Sequence, residues 1–329
     1  MKYLVTGATG FLGTNVVNEL VADGCDVRAS GMHGSNTKYL DALPVEIVLA
    51  DITDQAEVDA LVEGCGVVLH VAGDTSFWKK RFELQRRINV EGTINVAEAC
   101  LKHGVERMVH TSTLDVLGHD PDRKLITEQT GRFNFDRMGY NYGETKLEAE
   151  RRLRSYEAER DLDVVFIYPG FMCGPFDFTL QLGSVFFLLR DGSLPGAPPG
   201  GSSFCHVTEV ARAHISAVTK GRRGEAYICA GHNMPTREWF DHMADAIGAP
   251  HVKRTLPEWA FVAYGHLAET ISSVTNKPPD MNPGQARYMS KFQYMDCTKA
   301  INELGYVISD VPTVIGDALQ WYRSEGYEI

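Results

Sequence analysis

Tyr142 and Lys146 are the two side chains of this 329-residue chain whose types and spacing most directly suggest chemistry. Residues 142–160 carry the pattern of a helix, and side chains four residues apart on a helix lie on one face. A free tyrosine has a pKa of about 10, but a neighbouring ammonium stabilises the phenolate and lowers that pKa. The pair is therefore a candidate acid–base group, although such pairs also occur by chance on ordinary helices.

Three consecutive hydroxyl side chains, Thr111, Ser112 and Thr113, follow the predicted strand 108–111. Ligands of parallel sheets bind at the carboxyl ends of the strands, which is where these hydroxyls lie. A hydroxyl at this position can donate a hydrogen bond to a substrate carbonyl and stabilise the negative charge that develops on its oxygen. The alternative is that one or two of the three only cap the strand end.

Three glycines, Gly7, Gly10 and Gly13, separate a predicted strand at 3–6 from a predicted helix at 14–22. In a dinucleotide cradle the first glycine permits a tight turn, the second lets the backbone approach the phosphates, and the third allows close helix–strand packing. The positive end of the helix then faces the pyrophosphate. An ordinary glycine-rich turn is the alternative, but the flanking strands and helix are the context that a nucleotide site requires.

Strand and helix patterns alternate through the first half of the chain, which predicts a Rossmann-type α/β fold with a doubly wound parallel sheet. Strands are expected at 3–6, 26–30, 46–49, 67–71, 108–111 and 164–168, and helices at 14–22, 55–62, 88–102 and 142–160. Beyond Pro169 the rhythm changes and glycine, proline and phenylalanine dominate 171–204. Further helices are expected near 236–247, 259–274 and 312–323, with a helix and a strand within 207–230. We therefore expect a dinucleotide-binding domain of residues 1–170 plus 207–232, and a smaller, mostly C-terminal α+β substrate lobe of 171–206 plus 233–329.

Composition and charge exclude several classes of function. The net charge of −11 argues against binding of a nucleic-acid backbone. The seven cysteines form no Cys-x-x-Cys pair, and neither His206 nor His214 has the spacing of a zinc ligand, so we expect reduced thiols and no metal. No secretion signal is evident, and the apolar run 259–274 is too short and too polar to span a bilayer. These features predict a cytoplasmic protein without a membrane partner, and they are compatible with a homodimer.

The chain resembles the extended short-chain dehydrogenase/reductase family in four ordered motifs. These are Thr6-Gly7-Ala8-Thr9-Gly10-Phe11-Leu12-Gly13, Asn89-Val90-Glu91-Gly92-Thr93, Thr111-Ser112-Thr113 with Val116-Leu117-Gly118, and Tyr142-Gly143-Glu144-Thr145-Lys146. Within that family the chain is most similar to the dihydroflavonol reductase and 3β-hydroxysteroid dehydrogenase branch, and to proteins of the epimerase/dehydratase type.

The resemblance implies catalytic roles for three side chains. Tyr142 would transfer the proton, Lys146 would hold the nicotinamide ribose, and Thr113 would occupy the place of the family's catalytic serine. Ser112 is the fallback for Thr113, and Asn89 would support the site unless it only caps a helix. The resemblance also implies these cofactor contacts: Gly7, Thr9, Gly10, Phe11, Leu12, Gly13, Ser30, His33, Asp51, Ile52, Val71, Ala72, Gly73, Thr111, Tyr142, Lys146, Pro169, Phe171 and Met172.

The choice of nicotinamide cofactor depends on the end of the second strand. An acidic side chain there binds the ribose 2′-hydroxyl of NAD, and a basic one binds the 2′-phosphate of NADP. Gly31 and Met32 occupy those positions, so neither determinant is present. The absence of a carboxylate, with Ser30, His33 and Lys38 nearby, favours NADP(H), and NAD(H) stays open. Arg28 is expected to point to the other strand face.

Aromatic residues at the ligand end of the sheet favour a hydrophobic carbonyl compound as substrate. The candidate substrate contacts are Asp74, Thr75, Phe77, Trp78, Phe176, Phe178 and Phe204, and the alternative for each aromatic residue is a place in the core of the lobe. The expected function is NADPH-dependent reduction of an aldehyde or ketone. The alternatives are an NAD-dependent sugar-nucleotide epimerase or dehydratase and, from another class, a non-catalytic NADP-sensing regulator.

Overall fold

A computed structural model describes residues 1–136 and 138–329 of the chain. Seven strands form one parallel sheet in the order β3-β2-β1-β4-β5-β6-β9. The strands are β1 (Lys2–Thr6), β2 (Asp26–Gly31), β3 (Glu46–Leu49), β4 (Val67–His70), β5 (Arg107–Thr111), β6 (Val164–Pro169) and β9 (Ala226–Cys229). This confirms the predicted Rossmann-type sheet, and the strand order reverses beside β1, where ligands bind in such folds.

Helices cover both faces of this sheet, as a parallel sheet with buried strands requires. They are α1 (Phe11–Ala22), α2 (Gln55–Val62), α3 (Phe82–Arg86), α4 (Thr93–His103), α5 (Asn141–Arg160) and α7 (Val207–Lys220). Local signals set several of their ends: the Asp54 carboxylate accepts hydrogen bonds from the backbone of Ala56 and Glu57 at the start of α2, and Gly104 ends α4 with φ 65°. A π-helical segment, Arg87–Gly92, precedes α4 where an uninterrupted helix was predicted.

A second, three-stranded sheet lies mostly within the predicted α+β lobe, where no individual strand was predicted. It pairs β7 (Phe171–Cys173), β8 (Gly201–His206) and β10 (His232–Pro235) in the order β10-β8-β7. The remaining helices are α6 (Gly183–Arg190), α8 (Thr236–Ile247), α9 (Glu258–Thr275), α10 (Pro283–Tyr288), α11 (Thr298–Leu304) and α12 (Val311–Ser324). The segment 171–204 keeps long loops around β7, α6 and the start of β8, and its short strands were hard to predict because strands with Gly and Ser lack a strong apolar pattern.

Two hydrophobic clusters make up the buried interior. The larger surrounds the parallel sheet, and the smaller joins α6, α8, β8 and α12 around Trp239 and Tyr322. Cys297, Leu304 and Tyr306 pack into the larger cluster although the predicted division placed them in the substrate lobe. The C-terminal segment thus contributes to both hydrophobic clusters and brings α10 close to the carboxyl end of the parallel sheet.

Candidate active site

The glycine turn after β1 has the geometry of a phosphate cradle. Gly7 adopts φ +67°, and a Cβ there would lie 2.7 Å from the backbone of Ala72. A Cβ on Gly13 would lie 2.0 Å from the Gly7 carbonyl oxygen, so α1 packs against the turn only because both residues are glycine. The close-packing roles expected for Gly7 and Gly13 therefore agree with the structure.

Gly10 differs from its two neighbours because it borders open space. Within 4 Å, a Cβ on Gly10 would meet only the Gly7 carbonyl oxygen, at 3.2 Å. Gly10 is also the N-cap of α1, and in the described part of the chain no side chain caps that first turn. Free backbone N–H groups and an uncovered helix N-terminus fit the pyrophosphate of a dinucleotide. The beginning of α1, with Phe11 and Leu12, can therefore hold the cofactor phosphates.

Thr113 and Tyr142 meet at the carboxyl end of β5. Thr113 follows the strand by two residues, Tyr142 is the second residue of α5, and the Thr113 side chain is close enough to lower the pKa of Tyr142. Thr113 is buried, whereas Tyr142 retains partial exposure to solvent. One substrate oxygen could contact both hydroxyls, which is the arrangement that the sequence motifs predicted.

Lys146 lies one helical turn beyond Tyr142 and is only 4% exposed. Its Nζ donates a hydrogen bond to the carbonyl oxygen of Thr111 at 2.6 Å. Burial lowers the pKa of Lys146 to about 8, and the negative charge of Glu150 opposes that shift. The ammonium form still predominates at neutral pH, so Lys146 can bind the hydroxyls of a ribose.

The pKa of Tyr142 departs from expectation. The Tyr–Lys spacing predicts that Lys146 lowers it, but in the structure burial raises the pKa of Tyr142 above its usual value, and the charge of Asp115 raises it further. The Thr113 side chain acts in the opposite direction. Sequence spacing placed the lysine correctly but did not reveal the nearby carboxylate. The phenol is therefore held in its protonated form.

Ser112 points away from Thr113. Its hydroxyl donates to Glu150 Oε2 at 2.9 Å inside the core, and Glu150 also accepts the hydroxyl of Tyr168. Successive residues of an extended segment project to opposite sides, which explains why the two neighbouring hydroxyls separate. The expectation of Ser112 as a substitute catalytic serine is not supported by this geometry, and Thr113 alone faces Tyr142.

Asn89 supports the site from the π-helical segment. Its Oδ1 accepts the Asp74 backbone N–H at 2.7 Å, and its Nδ2 donates to the Asp74 carbonyl oxygen and to Thr145 Oγ1, both at 3.0 Å. Asn89 therefore ties the loop after β4 to the first turn of α5. It does not cap a helix, because its side chain reaches across the site.

The other expected cofactor contacts surround this centre. Ser30 is buried, Gly31 packs against the Thr9 side chain, and Ile52 packs against Gly92. Val71 and Ala72 donate backbone hydrogen bonds to Thr6, and Gly73 adjoins Asn89. Asp51 accepts the Thr53 N–H through its carboxylate, Pro169 ends β6, and Phe171 and Met172 form most of β7. These residues follow the carboxyl edge of the sheet from β2 to β6.

The basic groups near the end of β2 already have partners. His33 Nε2 lies 2.7 Å from Glu57 Oε2, and Lys38 Nζ lies 2.6 Å from Glu325 Oε2. Arg28 contacts Glu46 and the carbonyl oxygens of Leu61 and Glu63, away from the cofactor edge as expected. To bind the 2′-phosphate of NADP, His33 would have to leave Glu57, and Lys38 would have to leave Glu325.

The expected substrate contacts divide into two groups. Phe77 stacks on Tyr140 next to Tyr142, and Trp78 and the exposed Thr75 belong to the same loop. Asp74 shapes that loop, since its carboxylate contacts Arg81 at 2.7 Å and accepts the Ser76 N–H.

The second group lies elsewhere. Phe204 is 2% exposed and stacks on Trp239 at 4.5 Å, so it is a core residue, and its assignment to the substrate wall is not supported. Phe176 and Phe178 pack on Tyr39, from the loop after β2, and Phe176 also contacts Trp321. They join the lobe to the edge of the parallel sheet near β2. Sequence alone could not separate these aromatic residues from those beside Tyr142.

Sequence reasoning missed a buried cluster behind Thr113 and Tyr142. It consists of Asp115, Tyr140, Tyr288 and Gln293, and we call it the Asp115 cluster. Tyr140 precedes Tyr142 by two residues and Asp115 follows Thr113 by two, which was a usable local signal. Tyr288 and Gln293 arrive from the C-terminal segment, and no spacing in the sequence links them to the site.

Metal and membrane features are limited to what the described ranges show. Within 1–136 and 138–329, no cluster of three His, Cys, Asp or Glu side chains could hold a metal ion. None of the helices in those ranges combines the length and the apolar character needed to cross a bilayer. His206 caps α7, with Nδ1 accepting the Thr208 N–H, and His214 contacts Thr111 Oγ1 at 2.8 Å. Both histidines therefore have structural partners.

Comparison with known proteins agrees with this geometry. Residues 3–230 match the model of the NAD dependent epimerase/dehydratase family. Sterol demethylase protein B of Methylococcus capsulatus is 29% identical over 99% of both chains. The 2-alkyl-3-oxoalkanoate reductase of Shewanella oneidensis is 28% identical over 92% of this chain and 81% of that protein. The crystal structure of gox2253 superposes with a TM-score of 0.85, at 26% identity and over 98% of both chains. The chain belongs to the NAD dependent epimerase/dehydratase family, among the extended short-chain dehydrogenases/reductases, and is an NAD(P)-dependent oxidoreductase.

Proposed function

We propose that the protein reduces a hydrophobic aldehyde or ketone to the alcohol with NADPH. The observation that carries the proposal is the neighbouring side chains of Thr113 and Tyr142, with Lys146 buried one helical turn away at the end of β5. The glycine turn and the open N-terminus of α1 lie at the same edge of the sheet. Phosphate binding and proton transfer are thus available on one side of the molecule.

The side chains of this site perform the proton transfer and the orientation. The bound reduced nicotinamide supplies the hydride that adds to the carbonyl carbon. Tyr142 donates its phenolic proton to the carbonyl oxygen, and the Thr113 hydroxyl donates a hydrogen bond to the same oxygen. Lys146 holds the ribose and offers an ammonium beside the resulting phenolate. A solvent proton then restores the phenol, so that the carbonyl, the hydride and one proton yield the alcohol.

The surroundings of Tyr142 support an apolar substrate. Phe77 and Tyr140 stack at 5.7 Å, and Tyr140 stacks on Tyr288 at 4.4 Å. Tyr140 is buried, so the partly exposed rings of Phe77 and Tyr288 are the ones that a ligand beside Tyr142 could meet, and aromatic walls favour flat or hydrophobic ligands. The names of the two curated relatives, one a reductase of an oxoalkanoate and one a sterol demethylase protein, are consistent with an apolar carbonyl compound.

NADP(H) is the proposed cofactor because no carboxylate extends from the end of β2. Gly31 has no side chain, and a Cβ there would lie 2.6 Å from the Thr9 side chain, so an acidic residue has no room at this position. Met32 is exposed and uncharged. His33 is the nearest group that could turn from Glu57 towards a 2′-phosphate.

A sugar-nucleotide epimerase or dehydratase is less well supported by the side chains of the lobe. Such a substrate needs free basic groups for its diphosphate. Arg254 donates to the Pro195 carbonyl oxygen, Arg287 to the Met138 carbonyl oxygen, and Arg237 lies near Asp241. These arginines already have partners within the lobe or the adjoining loop.

A cofactor-oxidation screen tests the proposal. Purified protein is incubated with NADPH or NADH and with aldehydes, diketones, steroid ketones and UDP-sugars. We expect carbonyl-dependent oxidation of NADPH, faster than that of NADH. Tyr142→Phe should abolish this oxidation. Tyr156→Phe should not, because Tyr156 lies on the same helix as Tyr142 but its hydroxyl points outward and donates to Glu98. Conversion of a UDP-sugar without net cofactor oxidation by any carbonyl would overturn the proposal.

A further inference from the structure

We propose that Asp115 is a positioning residue for Tyr142, and that its buried carboxyl keeps the phenol of Tyr142 protonated until a substrate oxygen takes the proton. This inference deepens the proposed function and rests on it for the consequence in turnover. The arrangement itself can be tested in the protein without cofactor or substrate.

The carboxyl of Asp115 is enclosed by neutral hydrogen-bond donors. Asp115 is 3% exposed, and the hydroxyl of Tyr140 donates to Oδ2 at 2.6 Å. The hydroxyl of Tyr288 lies close enough to lower the pKa of this carboxyl, and Gln293 Nε2 lies 3.4 Å from Oδ1. Across residues 1–136 and 138–329, no lysine, arginine or histidine forms an ion pair with Asp115. A negative charge at this position therefore has no cation to balance it.

Two contacts hold Asp115 next to Tyr142. The backbone N–H of Asp115 donates to Thr113 Oγ1 at 3.3 Å, and the Thr113 side chain is close enough to act on the pKa of Tyr142. The ring of Tyr140 also meets the ring of Tyr142 edge-on at 6.2 Å. The carboxyl thus lies directly behind the catalytic pair, and two neighbouring negative charges in a dry interior disfavour each other. Forming the Tyr142 phenolate next to an ionised Asp115 is therefore costly.

The ionisable groups around Tyr142 come from several elements of the fold. Asp115 comes from the segment after β5, Tyr140 from the residues before α5, and Tyr288 from α10. The pKa values of Tyr140 and Tyr288 are raised well above normal by burial, so both remain neutral donors. Lys146, on the same helix as Tyr142, directs its ammonium to the carbonyl oxygen of Thr111. Among these groups, Asp115 is the one whose negative charge disfavours the Tyr142 phenolate.

The Asp115 cluster also connects the C-terminal segment to the part of the chain that carries Thr113 and Tyr142. Tyr288 and Gln293 belong to the C-terminal segment, and Gln293 Nε2 additionally donates to the Gly118 carbonyl oxygen at 3.2 Å. Asp115 and Tyr140 belong to the part of the chain that carries the catalytic pair. The same contacts that set the protonation of Tyr142 therefore hold α10 against the catalytic centre.

The test is a pH titration of protein labelled with carbon-13 at the ζ position of tyrosine. The Tyr142 signal is assigned by its loss in Tyr142→Phe, and its titration is compared between the wild type and Asp115→Asn. Asp177→Asn is the matched control, because Asp177 is 2% exposed and accepts the Tyr322 hydroxyl at 2.7 Å within the lobe. We expect Asp115→Asn to lower the titration midpoint of Tyr142 by about one pH unit or more, and Asp177→Asn to leave it unchanged.

The outcomes separate this proposal from the proposed function. A Tyr142 signal that titrates at the same pH with and without the Asp115 carboxylate, or in neither protein up to the pH of unfolding, overturns the role of Asp115. A shifted titration in a protein that oxidises no nicotinamide cofactor with any carbonyl compound removes the reductase assignment and leaves the role of Asp115 standing. In an active protein, the alkaline limb of kcat/KM for reduction should shift with the titration. Asp115→Ser serves as a second charge-free variant if the asparagine variant does not fold.

Discussion

Two buried carboxylates flank the catalytic helix, and they differ in what balances their charge. Glu150 is 5% exposed and Asp115 is 3% exposed, and each accepts a tyrosine hydroxyl at 2.6 Å, from Tyr168 and Tyr140 respectively. Glu150 also forms an ion pair with Arg154 at 2.8 Å. Asp115 has only neutral donors in the described ranges. The burial is similar, but only the charge of Glu150 is balanced by a cation.

Each carboxylate acts on the catalytic residue nearest to it. The charge of Glu150 raises the pKa of Lys146 against the effect of burial, which preserves the ammonium at neutral pH. The charge of Asp115 raises the pKa of Tyr142, which preserves the phenol. Tyr142 and Lys146 are thus both kept protonated by neighbouring carboxylates that are not catalytic residues. The site is organised for proton donation.

The largest predicted difference between the Asp115 side and the Glu150 side is in activity, and it concerns the adjacent hydroxyls of Thr113 and Ser112. Thr113 belongs to the Asp115 side and Ser112 to the Glu150 side. Thr113→Ala should lower kcat/KM for carbonyl reduction about a hundredfold, because one donor to the developing oxyanion is lost. Ser112→Ala should change kcat/KM by less than about threefold, and Thr113→Ser should restore most of the activity. Steady-state kinetics decides the matter, and equal losses in the two alanine variants would contradict the separation of roles.

Removing the negative charge of Glu150 should destabilise the fold. Glu150→Gln keeps the shape but leaves Arg154 without its partner and weakens the bonds from Ser112 and Tyr168. Because the Arg154 side chain is 42% exposed, water replaces part of the lost interaction. We expect the free energy of unfolding at neutral pH to fall by about 2 kcal/mol, measured by urea denaturation. No loss of stability would show that the ion pair does not balance the buried charge.

Removing the negative charge of Asp115 should change the free energy of unfolding less than Glu150→Gln does, and in the opposite direction. Burial raises the pKa of Asp115, so its contribution to stability is present below the ordinary carboxyl pKa and is lost as the pH rises through the raised value. Asp115→Asn should therefore gain stability relative to the wild type between pH 4 and pH 8. We expect the free energy of unfolding at pH 8 to be unchanged or about 1 kcal/mol higher in the variant. Denaturation at both pH values tests the sign, and a variant that loses stability as the pH rises contradicts it.

The comparison also shows what sequence can reveal. The Tyr–Lys spacing, the glycine turn and the buried strands are local patterns, and helices α2 and α8 coincide with their predicted ranges. The catalytic helix and the end of β5 were placed correctly for the same reason. Ser112 was harder, because the direction of a side chain after a strand end depends on whether a partner such as Glu150 lies on that side.

Long-range contacts account for the parts that sequence did not reveal. The second sheet pairs β8 with β7 and β10, and none of these short strands has a strong alternating pattern. The Asp115 cluster joins residues that are separated by 178 positions, Asp115 and Gln293. Phe204 and Phe77 have the same side chain, yet one packs in the core and the other beside the catalytic tyrosine. Only tertiary packing distinguishes them.

The central claim is that Tyr142 donates a proton while a hydride from the nicotinamide reaches a carbonyl carbon. The most direct measurement uses NADPH carrying deuterium at both C4 positions of the nicotinamide, a ketone identified by the oxidation screen, and mass spectrometry of the product. The account predicts an alcohol with one deuterium on its carbinol carbon from the wild type, and no detectable alcohol from Tyr142→Phe, which should still bind NADPH. An alcohol without deuterium, or an undiminished yield from Tyr142→Phe, would contradict it.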